Sequence, residues 1–480
     1  MDHREIAPAP PGGVLDTPWR LAAVVGLLVF LSRLPFLGHG YGSDADGWRA
    51  MLAAQHFLSS GHYVPSRPPG YPIPEFFDAL MLWLGLGDSW WVSLGTALMS
   101  GLTAFWLLPA FLPLGREKAL PLSLAFAFTP VVFVASLGAM DYLWASAFFL
   151  AATWCAWRGR LLGTAVLLGL AAACRPTYAL GYIPLALMLI DLRLSSLRTR
   201  ETWRTLIVLA GVSGGLTLAF FVPALMEIGA TVFKMPPQHP PSLQQLVFIP
   251  TVGVFGLFGL LAFGLLALAA LRGSSETRLV PVVPDAARAQ RLLAVWSWCL
   301  IVGYTVLFLR LPDEPAYLLP VLLGALFLLA RRVSALALWL LLAAMVVSSF
   351  WGSLARRPDG GIRVDWRGPV LREVQVEDRR ACISEVVRQH MARVPADHYL
   401  VTAEYRPQLR WEVGPRHADH ILYLLAQARD GVGLRDTEGV SFGDAKAFWI
   451  LDRATVTQEA EWHPPEGLLR VLDTRQACPD

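Results

Sequence analysis

Long apolar segments constrain this chain more than any other feature of its sequence. A helix needs about 20 apolar residues to cross the hydrocarbon core of a bilayer. Helices that are apolar on every side either fill a large protein core or face lipid. Eleven segments come close to the required length, namely 20–37, 90–113, 119–137, 141–157, 161–178, 179–192, 205–226, 246–271, 293–310, 315–330 and 333–351. The sequence therefore predicts a polytopic α-helical membrane protein with about 11 spans.

Composition agrees with a membrane protein and excludes other classes. Apolar residues make up 55% of the 480 residues and charged residues 16%, with a mean hydropathy of +0.48. A soluble globular protein carries about 25% charged residues. The net charge is only +3 and the basic residues do not gather in one patch, so no nucleic-acid partner is expected. The spacing of cysteine and histidine matches no metal-site pattern, so no metal ligands are predicted from it.

The distribution of basic residues predicts how the segments are oriented. Residues 72–87 are also apolar, but Pro72, Pro74, Gly85 and Gly87 interrupt them. If this segment does not cross the membrane and the N-terminus is cytoplasmic, the inside loops hold 14 basic residues and the outside loops 5. Cytoplasmic loops are normally the richer in Lys and Arg, and a full crossing by 72–87 would invert this asymmetry. We therefore expect a re-entrant or interfacial 72–87 and a C-terminus outside.

The composition changes after the last apolar segment, which predicts a separate soluble domain. Residues 352–365 are polar and contain glycine, as is typical of a linker. The rest combines one segment of helical periodicity with short apolar runs of strand length; these are the helix 381–393 and the runs 398–403, 420–425 and 447–451. The predicted organisation is a cytoplasmic tail (1–19), a transmembrane domain (20–351) with first outside loop 38–71, the linker (352–365) and a small extracytoplasmic α/β domain (366–480).

Two cysteines lie in this predicted domain, and we expect them to form a disulfide. Cys382 and Cys478 are the only cysteines after residue 365. The space outside a bacterial cytoplasmic membrane is oxidising, so two thiols of one small domain are expected to pair there. Cys155, Cys174 and Cys299 lie in apolar segments, where a thiol usually behaves as a small apolar side chain.

The first outside loop holds the residues best suited to chemistry. Asp44 and Asp46 follow the first span directly, and an amphipathic segment containing Trp48 comes next, which we expect to be an interfacial helix. A proline-rich turn with Arg67 then leads to Glu75. Structural roles compete with chemistry here, because Asp44 could cap the helix. Arg67 and Glu75 could likewise form a surface pair, which would contribute little.

Other loops contain further charged residues of interest. Arg175 lies in an otherwise apolar run, where a charge is costly and commonly functional, although its side chain could instead extend to the headgroups. Asp141 could serve a site or cap the helix that follows it. Asp313 and Glu314 form an acidic pair in a short outside turn before Tyr317. Helix capping explains that pair as well as a site role does.

The first loop resembles that of the GT-C glycosyltransferases. An acidic residue just past the first span, an aromatic residue four positions later, an amphipathic helix and a proline-rich return to the membrane are marks of that family. Asp44 and Trp48 stand at this spacing here. Many relatives have Asp-Glu where this chain has Asp44-Ala45, so Asp46 could substitute for the second acid.

The resemblance continues downstream in the same order. Residues 136–141 (SLGAMD) resemble the family's second outside loop, which often carries another aspartate. Residues 169–177 (GLAAACRPT) resemble a later span with a basic residue near its outer end, and residues 315–320 (PAYLLP) resemble the beginning of a late span. The similarity therefore covers about residues 20–351, with the motifs on the expected side of the membrane.

The resemblance implies a polyprenyl-phosphate-sugar-dependent enzyme of the bacterial cytoplasmic (inner) membrane, related to protein O-mannosyltransferases and to the lipid A aminoarabinose transferase. Such an enzyme would move a sugar from its lipid donor to an acceptor glycan, lipid or protein on the outer face, here expected with inversion. The reaction needs a base for the acceptor hydroxyl and stabilisation of the departing phosphate, which suit carboxylates and arginines respectively. The candidate catalytic residues are Asp44, Asp46 and Asp141, and the candidate substrate-binding residues are Arg175, Trp48, Arg67, Glu75 and Tyr317. A divalent cation joining Asp44 and Asp46 stays open.

A secondary transporter or lipid flippase is the main alternative. Transporters carry ionisable residues near the membrane midplane and paired broken helices. The acidic residues here are concentrated in the outside loops, which favours chemistry at the membrane surface. A non-catalytic scaffold that presents the C-terminal domain would leave the long acidic first loop without a role.

Overall fold

The computed structural model describes most of the chain. The described residues are 16–229, 242–272, 286–312, 314–356, 362–395, 397–402, 406–414, 418–427, 431–435, 446–451, 467–472, 474 and 477–478. Most of the predicted cytoplasmic tail (1–19) and Asp313 lie outside them.

Helices dominate the part that precedes residue 351. They are α1 (Asp16–Arg33), α2 (Ala45–Ser60), α3 (Pro72–Trp83), α4 (Ser89–Phe111), α5 (Arg116–Ala127), α6 (Pro130–Val134), α7 (Tyr142–Trp157), α8 (Leu161–Cys174), α9 (Tyr182–Leu189), α10 (Arg200–Ile228), α11 (Leu243–Phe248), α12 (Val254–Arg272), α13 (Ala286–Arg310), α14 (Leu319–Ala330) and α15 (Ala335–Phe350). Within the described residues, five stretches are long and apolar enough to cross a membrane, namely Pro18–Phe36, Ser89–Leu114, Arg200–Ile228, Gln245–Arg272 and Ala287–Arg310. Five shorter apolar helical stretches coincide with five more of the predicted spans. The chain is a multi-pass membrane protein.

Large apolar side chains cover the outer faces of the long helices. Ile207 on α10, Leu261 on α12 and Val306 on α13 are each more than 60% exposed. Contiguous apolar surface of this kind is rare on soluble monomers. In a bilayer these side chains face lipid tails, which are as apolar as they are.

The predicted single span 119–137 is wrong, because the chain breaks between α5 and α6. Pro130 begins α6, and Thr129 before it is extended (φ −62°, ψ 133°), as the residue preceding a proline usually is. The break frees carbonyl groups at the end of α5. Arg33, which is fully buried, donates to the Ala127 carbonyl, and Ser349 Oγ donates to the Phe128 carbonyl over 2.8 Å. Side chains from two helices distant in sequence, α1 and α15, thus supply hydrogen-bond donors for the carbonyl groups left free at the end of α5.

Helix α3 occupies the segment whose crossing was in question. It has 12 residues and starts at Pro72, where a proline fits the first turn of a helix. A helix of this length extends about 18 Å, less than the roughly 30 Å of a hydrocarbon core. It packs against α2 and α8. Its length agrees with the expectation that 72–87 does not cross.

Two paired strands contain the described residues of the predicted linker 352–365, of which residues 357–361 lie outside the described part of the chain. Strand β1 (Trp351–Arg356) continues directly from α15 and pairs antiparallel with β2 (Ile362–Arg367). Helix α16 (Pro369–Met391) follows, and it begins well before the predicted start at residue 381. Its contacts with α6 and α15 join the C-terminal region to the membrane part.

A five-stranded sheet forms the rest of the described C-terminal region. Its strands are β3 (His398–Thr402), β4 (Ile421–Gln427), β5 (Gly431–Arg435), β6 (Ala447–Leu451) and β7 (Leu469–Leu472), and α17 (Arg406–Val413) connects β3 to β4. The order is β5-β4-β3-β6-β7, and only the β4–β5 pair is antiparallel. The helical connection between β3 and β4 is what a parallel pair requires.

Helices α16 and α17 cover the core of this sheet. Ile383, Val387 and Met391 on α16 pack with Leu400 on β3 and Leu409 on α17, all 3% exposed or less. Cys382 and Cys478 form a disulfide, with their Cα atoms 5.8 Å apart. The bond ties the end of the described chain to α16.

Candidate active site

A glycine-rich segment carries Asp44 from the end of α1 to the start of α2. Gly38, Gly40 and Gly42 have φ values of +88°, +149° and +116°, a region that favours glycine. Asp44 is the N-cap of α2, and its side chain accepts a hydrogen bond of 2.9 Å from the backbone N–H of Asp46. The capping role proposed from the sequence is therefore real. It occupies one carboxylate oxygen.

The loop between α6 and α7 packs against this segment. The Tyr41 carbonyl accepts a hydrogen bond of 2.9 Å from the Ala139 N–H. A Cβ atom on Gly138 would lie 2.5 Å from the same carbonyl oxygen, so only glycine permits this approach. The contact brings the loop that ends at Asp141 to the loop that carries Asp44.

Trp48 is packed beneath the first loop. It is not among the residues that line the cavity beside Asp44, which is described below. Its side chain is 3% exposed, and its indole N–H donates to the Gly42 carbonyl over 3.0 Å. Its ring also packs edge-on against Tyr41, with centroids 4.8 Å apart. These contacts contradict the prediction that Trp48 binds substrate, because a buried indole with a satisfied N–H has no surface left for a ligand.

Two arginines and two aspartates form an ion network beneath the loops. Arg175 donates to Oδ2 of Asp141, and Arg67 donates to Oδ1 of the same carboxylate over 3.3 Å. Arg67 also contacts Asp46, whose other oxygen accepts a hydrogen bond of 2.7 Å from Arg49. Both aspartates are thus bridged by Arg67, and the weak Arg67–Glu75 surface pair does not form. Asp141 makes no side-chain cap to α7, so capping does not explain it.

Tyrosine rings surround the guanidinium groups of this network. The Arg175 guanidinium lies 3.9 Å from the Tyr142 ring centroid, 4.7 Å from that of Tyr317 and 5.3 Å from that of Tyr71. Arg67 lies 4.5 Å from the Tyr71 centroid. Cation–π contacts of this kind stabilise a buried charge. Arg175 is only 2% exposed, so its side chain does not extend to the headgroups.

A cavity of about 190 Å³ opens beside Asp44. Five of the side chains that line it are polar: Ser43, Asp44, Tyr142, Glu314 and Glu373. Tyr142 joins the cavity to the ion network, because its other neighbours are Asp141 in the chain and Arg175 against its ring. The apolar lining comes from Pro130, Val131, Val134, Ala135, Met140, Pro315, Ala316 and Pro369. A second cavity of about 310 Å³ adjoins the first at Ser43 and Glu373.

Glu314 is a site residue that the sequence did not distinguish from a helix cap. Its carboxyl lies within hydrogen-bond reach of Asp44, in the turn between α13 and α14. Burial raises the pKa of Glu314 to about 8, and the Asp44 charge adds to the rise, whereas Arg67 and Arg175 oppose it. At neutral pH Glu314 is therefore held as the neutral acid. Asp313 lies outside the described residues.

Glu75 has a structural environment away from the cavity. It is 2% exposed and accepts hydrogen bonds from Tyr63 Oη over 2.7 Å and from Ser66 Oγ over 2.6 Å. Burial raises the pKa of Glu75 above its ordinary value. It holds the proline-rich turn that presents Arg67, so the predicted contact with substrate is not supported by its position.

The arrangement does not fit a cation shared by Asp44 and Asp46. Both oxygens of Asp46 contact arginines, which compete with a metal for the same lone pairs. Within the described residues no group of three or more histidine, cysteine, aspartate or glutamate side chains could hold a metal ion. His39 and His62 instead contact Asp378 and Glu227.

The geometry offers three chemical functions in one place. Asp44 is a carboxylate beside a cavity, Glu314 is an acid that can hold a proton next to it, and Arg67 and Arg175 supply positive charge across Tyr142. The Arg67 Nε donor is buried and has no hydrogen-bond partner among the described residues. A buried donor without a partner is costly, so an incoming anion would satisfy it.

Two of the solved structures that resemble this chain match most of its length. ArnT from Cupriavidus metallidurans bound to undecaprenyl phosphate matches with a TM-score of 0.53 and 16% sequence identity over 86% of this chain and 87% of that chain. The same enzyme in the apo state matches with a TM-score of 0.52 and 15% identity over 83% and 84%. Identities this low establish a common fold and no more.

Other comparisons add little. The Saccharomyces cerevisiae protein O-mannosyltransferase Pmt1-Pmt2 complex bound to its sugar donor matches with a TM-score of 0.36 and 17% identity, over 47% of this chain and 35% of that chain. That score is too low to indicate a shared fold. No family model and no curated protein sequence match the chain.

Proposed function

We propose that this chain, which has the GT-C fold, is a membrane glycosyltransferase that uses a polyprenyl-phosphate-linked sugar. The acceptor would be a glycan, a lipid or a protein at the outer face of a bacterial cytoplasmic membrane. The ArnT structure of the same fold holds undecaprenyl phosphate, which supports a donor of this class. The observation that carries the proposal is that Asp44 and Glu314 share one cavity with Tyr142, against which Arg175 packs.

The proposed reaction is a single displacement with inversion. Asp44 removes the proton from the acceptor hydroxyl, whose oxygen then attacks the anomeric carbon of the donor sugar. The new carbon–oxygen bond forms as the bond to the phosphate oxygen breaks, and polyprenyl monophosphate leaves with that electron pair. The Asp44 carboxyl suits this role because its oxygens can accept a proton and its position at the start of α2 is already fixed.

The two arginines stabilise the departing phosphate in this proposal. Arg67 reaches it directly through its unpartnered Nε, because guanidinium donors match phosphate oxygens closely. Arg175 stays bound to Asp141 and contributes charge from behind the tyrosine rings. Asp141 therefore holds both arginines in place, and it is not itself the base. Tyr317 acts through its contact with Arg175.

A reconstituted transfer assay tests the proposal. Purified protein in lipid vesicles receives polyprenyl-phosphate-linked sugars with glycan, lipid and peptide acceptors, and the release of polyprenyl monophosphate is measured. Turnover by the wild type and none by Asp44→Asn supports the proposal. If the wild type instead moves the lipid between leaflets without releasing monophosphate, the flippase alternative holds.

The Asp44–Glu314 pair predicts how transfer depends on pH. Below pH about 8 Glu314 is neutral beside Asp44, and above it the Glu314 carboxylate repels the anionic donor phosphate. We therefore expect the transfer rate to fall as the pH rises through about 8, and Glu314→Gln to remove this fall because an amide does not ionise. Rate–pH profiles of both proteins check this. Identical alkaline limbs would show that Glu314 is not the titrating group.

The raised pKa of Glu314 also makes the stability of the protein depend on pH. The unfolded chain would release the Glu314 proton near 4.5, whereas the folded protein releases it near about 8. Between these values the folded state binds the extra proton, so the contribution of Glu314 to stability falls as the pH rises. Glu314→Gln should show a smaller loss of thermal stability over this window than the wild type.

We further propose that the C-terminal domain lies outside. Glu373 on α16 contacts Ser43 in the first loop, so the C-terminal domain and that loop lie on the same face. The excess of basic residues in the loops on the opposite side supports an extracytoplasmic position for this face. An alkaline phosphatase fused after Asp480 should be active, because this enzyme needs the oxidising compartment. A fusion active only as a cytoplasmic reporter would overturn the orientation.

A further inference from the structure

Helix α16 of the C-terminal region makes hydrogen bonds to the segment that leads to Asp44, residues 38–43. Both oxygens of Glu373 accept from Ser43, one from its backbone N–H and one from its hydroxyl, each over 2.6 Å. Arg380, about two turns further along α16, donates to the Ser43 carbonyl. Every polar group of Ser43 is therefore bound to α16.

Neighbouring residues of the segment make similar contacts. A Cβ atom on Gly40 would lie 1.8 Å from Oε2 of Glu377, so this glycine allows the helix to approach. His39 Nδ1 lies 2.7 Å from Asp378. From α17, the Trp411 ring packs edge-on against Tyr41, with centroids 5.6 Å apart. The C-terminal region thus touches the segment from residue 39 to residue 43.

The segment needs an external support of this kind. Gly38, Gly40 and Gly42 remove the conformational restriction that side chains would give, so ordering this stretch costs more entropy than usual. It also has no regular secondary structure between residues 37 and 44. Glu373 and Arg380 bind the N–H, the hydroxyl and the carbonyl of Ser43 within this stretch. Contacts from α16 therefore offset the cost of fixing the residue next to Asp44.

We propose that Glu373 is a positioning residue of the active site, and that the C-terminal domain acts by holding Ser43 so that the Asp44 carboxylate stays in the cavity. This inference rests on the proposed transferase function. Glu373 lines the same cavity, but its oxygens are occupied by Ser43 and it acts through Asp44. A displacement of about 1 Å at a catalytic group can cost roughly 100-fold in rate.

Hydrogen exchange of the full-length protein tests the contact without any substrate. In Glu373→Ala the Ser43 amide loses its acceptor, and peptides covering residues 38–44 should exchange about 10-fold faster, as expected for losing a hydrogen bond. Glu385→Ala, an exposed position on the same helix that contacts Arg388 and Gln389, is the matched control. Unchanged exchange in Glu373→Ala would overturn the proposal.

Transfer kinetics test the functional consequence. Glu373→Ala should lower kcat about 10- to 100-fold with the KM for the lipid donor unchanged. Glu373→Gln, whose amide oxygen can still accept from the Ser43 N–H, should recover much of the rate. If Glu373→Gln keeps the exchange protection but is as inactive as Glu373→Ala, the carboxylate acts directly and the positioning role is wrong.

A second variant guards against simple misfolding. Ser43→Ala removes one of the two hydrogen bonds and leaves α16 unchanged, so it should lower kcat less than Glu373→Ala does. Because both act on one contact, the double variant should lose little beyond Glu373→Ala alone. Fully additive losses would contradict the proposal. If Asp44→Asn stays active, the transferase proposal fails, while the exchange result still decides whether α16 holds the segment.

Discussion

Replacing Asp44 by asparagine should lower glycosyl transfer about 10²- to 10⁴-fold, the usual contribution of a positioned general base. Asparagine keeps the size of the side chain and an oxygen that can accept from the Asp46 N–H, so the cap of α2 remains. The change removes the negative charge and the basicity. Initial rates of monophosphate release at matched expression measure the loss, and thermal unfolding should be close to that of the wild type.

Asp46→Asn is the matched control for this prediction. Asp46 lies two residues further along and contacts Arg49 and Arg67, so its loss disturbs the ion network but leaves Asp44 and the cavity. We expect a smaller loss of rate than for Asp44→Asn. If Asp46→Asn is inactive and Asp44→Asn keeps near-wild-type rates, the base is Asp46. Activity in both variants would remove the first loop from the chemistry altogether.

The second large effect concerns stability. Arg175→Ala should lower the free energy of unfolding by about 3–5 kcal/mol, the usual result of removing one partner of a buried ion pair. Asp141 would keep its charge at only 4% exposure with Arg67 as its remaining partner. The variant should also use the lipid donor less well, because positive charge near the phosphate is lost. Thermal unfolding in detergent and donor-concentration series measure the two effects.

Arg67→Ala separates binding from stability. The Arg67 side chain is 19% exposed. When it is removed, Asp141 remains paired with Arg175. We expect a clear rise in the KM for the donor with a smaller loss of thermal stability than for Arg175→Ala. Equal unfolding temperatures for Arg175→Ala and the wild type would mean that the buried pair does not stabilise the fold.

Features encoded over short distances could be predicted from the sequence. The GT-C-like fold, inferred from the order of short motifs, is confirmed by the match to ArnT. Asp44 follows α1 and precedes α2, as the spacing to Trp48 indicated. These features depend on local patterns of apolar, small and acidic residues, which a sequence displays directly.

Features that depend on distant partners could not be predicted. Asp141 meets Arg175 and Arg67 across 34 and 74 residues, and no sequence pattern reports that approach. Glu314 has the same local sequence whether it caps a helix or faces Asp44. Trp48 is an aromatic residue of an outside loop, and only packing decides whether such a ring touches a ligand or fills a gap beneath the loop.

The predicted span 119–137 failed for a different reason. Hydropathy averages over a window, and the apolar residues around Thr129 and Pro130 hide the proline within it. A proline inside a helix usually breaks or bends it, but the broken ends persist in a membrane only where other groups satisfy them. Arg33 and Ser349 do so here, and neither is adjacent in the sequence.

The contact between Ser43 and Glu373 also sets an order of events during biosynthesis. The two residues are 330 positions apart, and ribosomes add about 5–20 residues per second. The first loop therefore leaves the ribosome tens of seconds before its support exists. If α16 fixes Asp44 as proposed, a chain arrested anywhere before residue 373 would reach the membrane with its catalytic loop unsupported. Such a fragment would not consume lipid-linked sugar, so only completed chains would draw on the cell's supply.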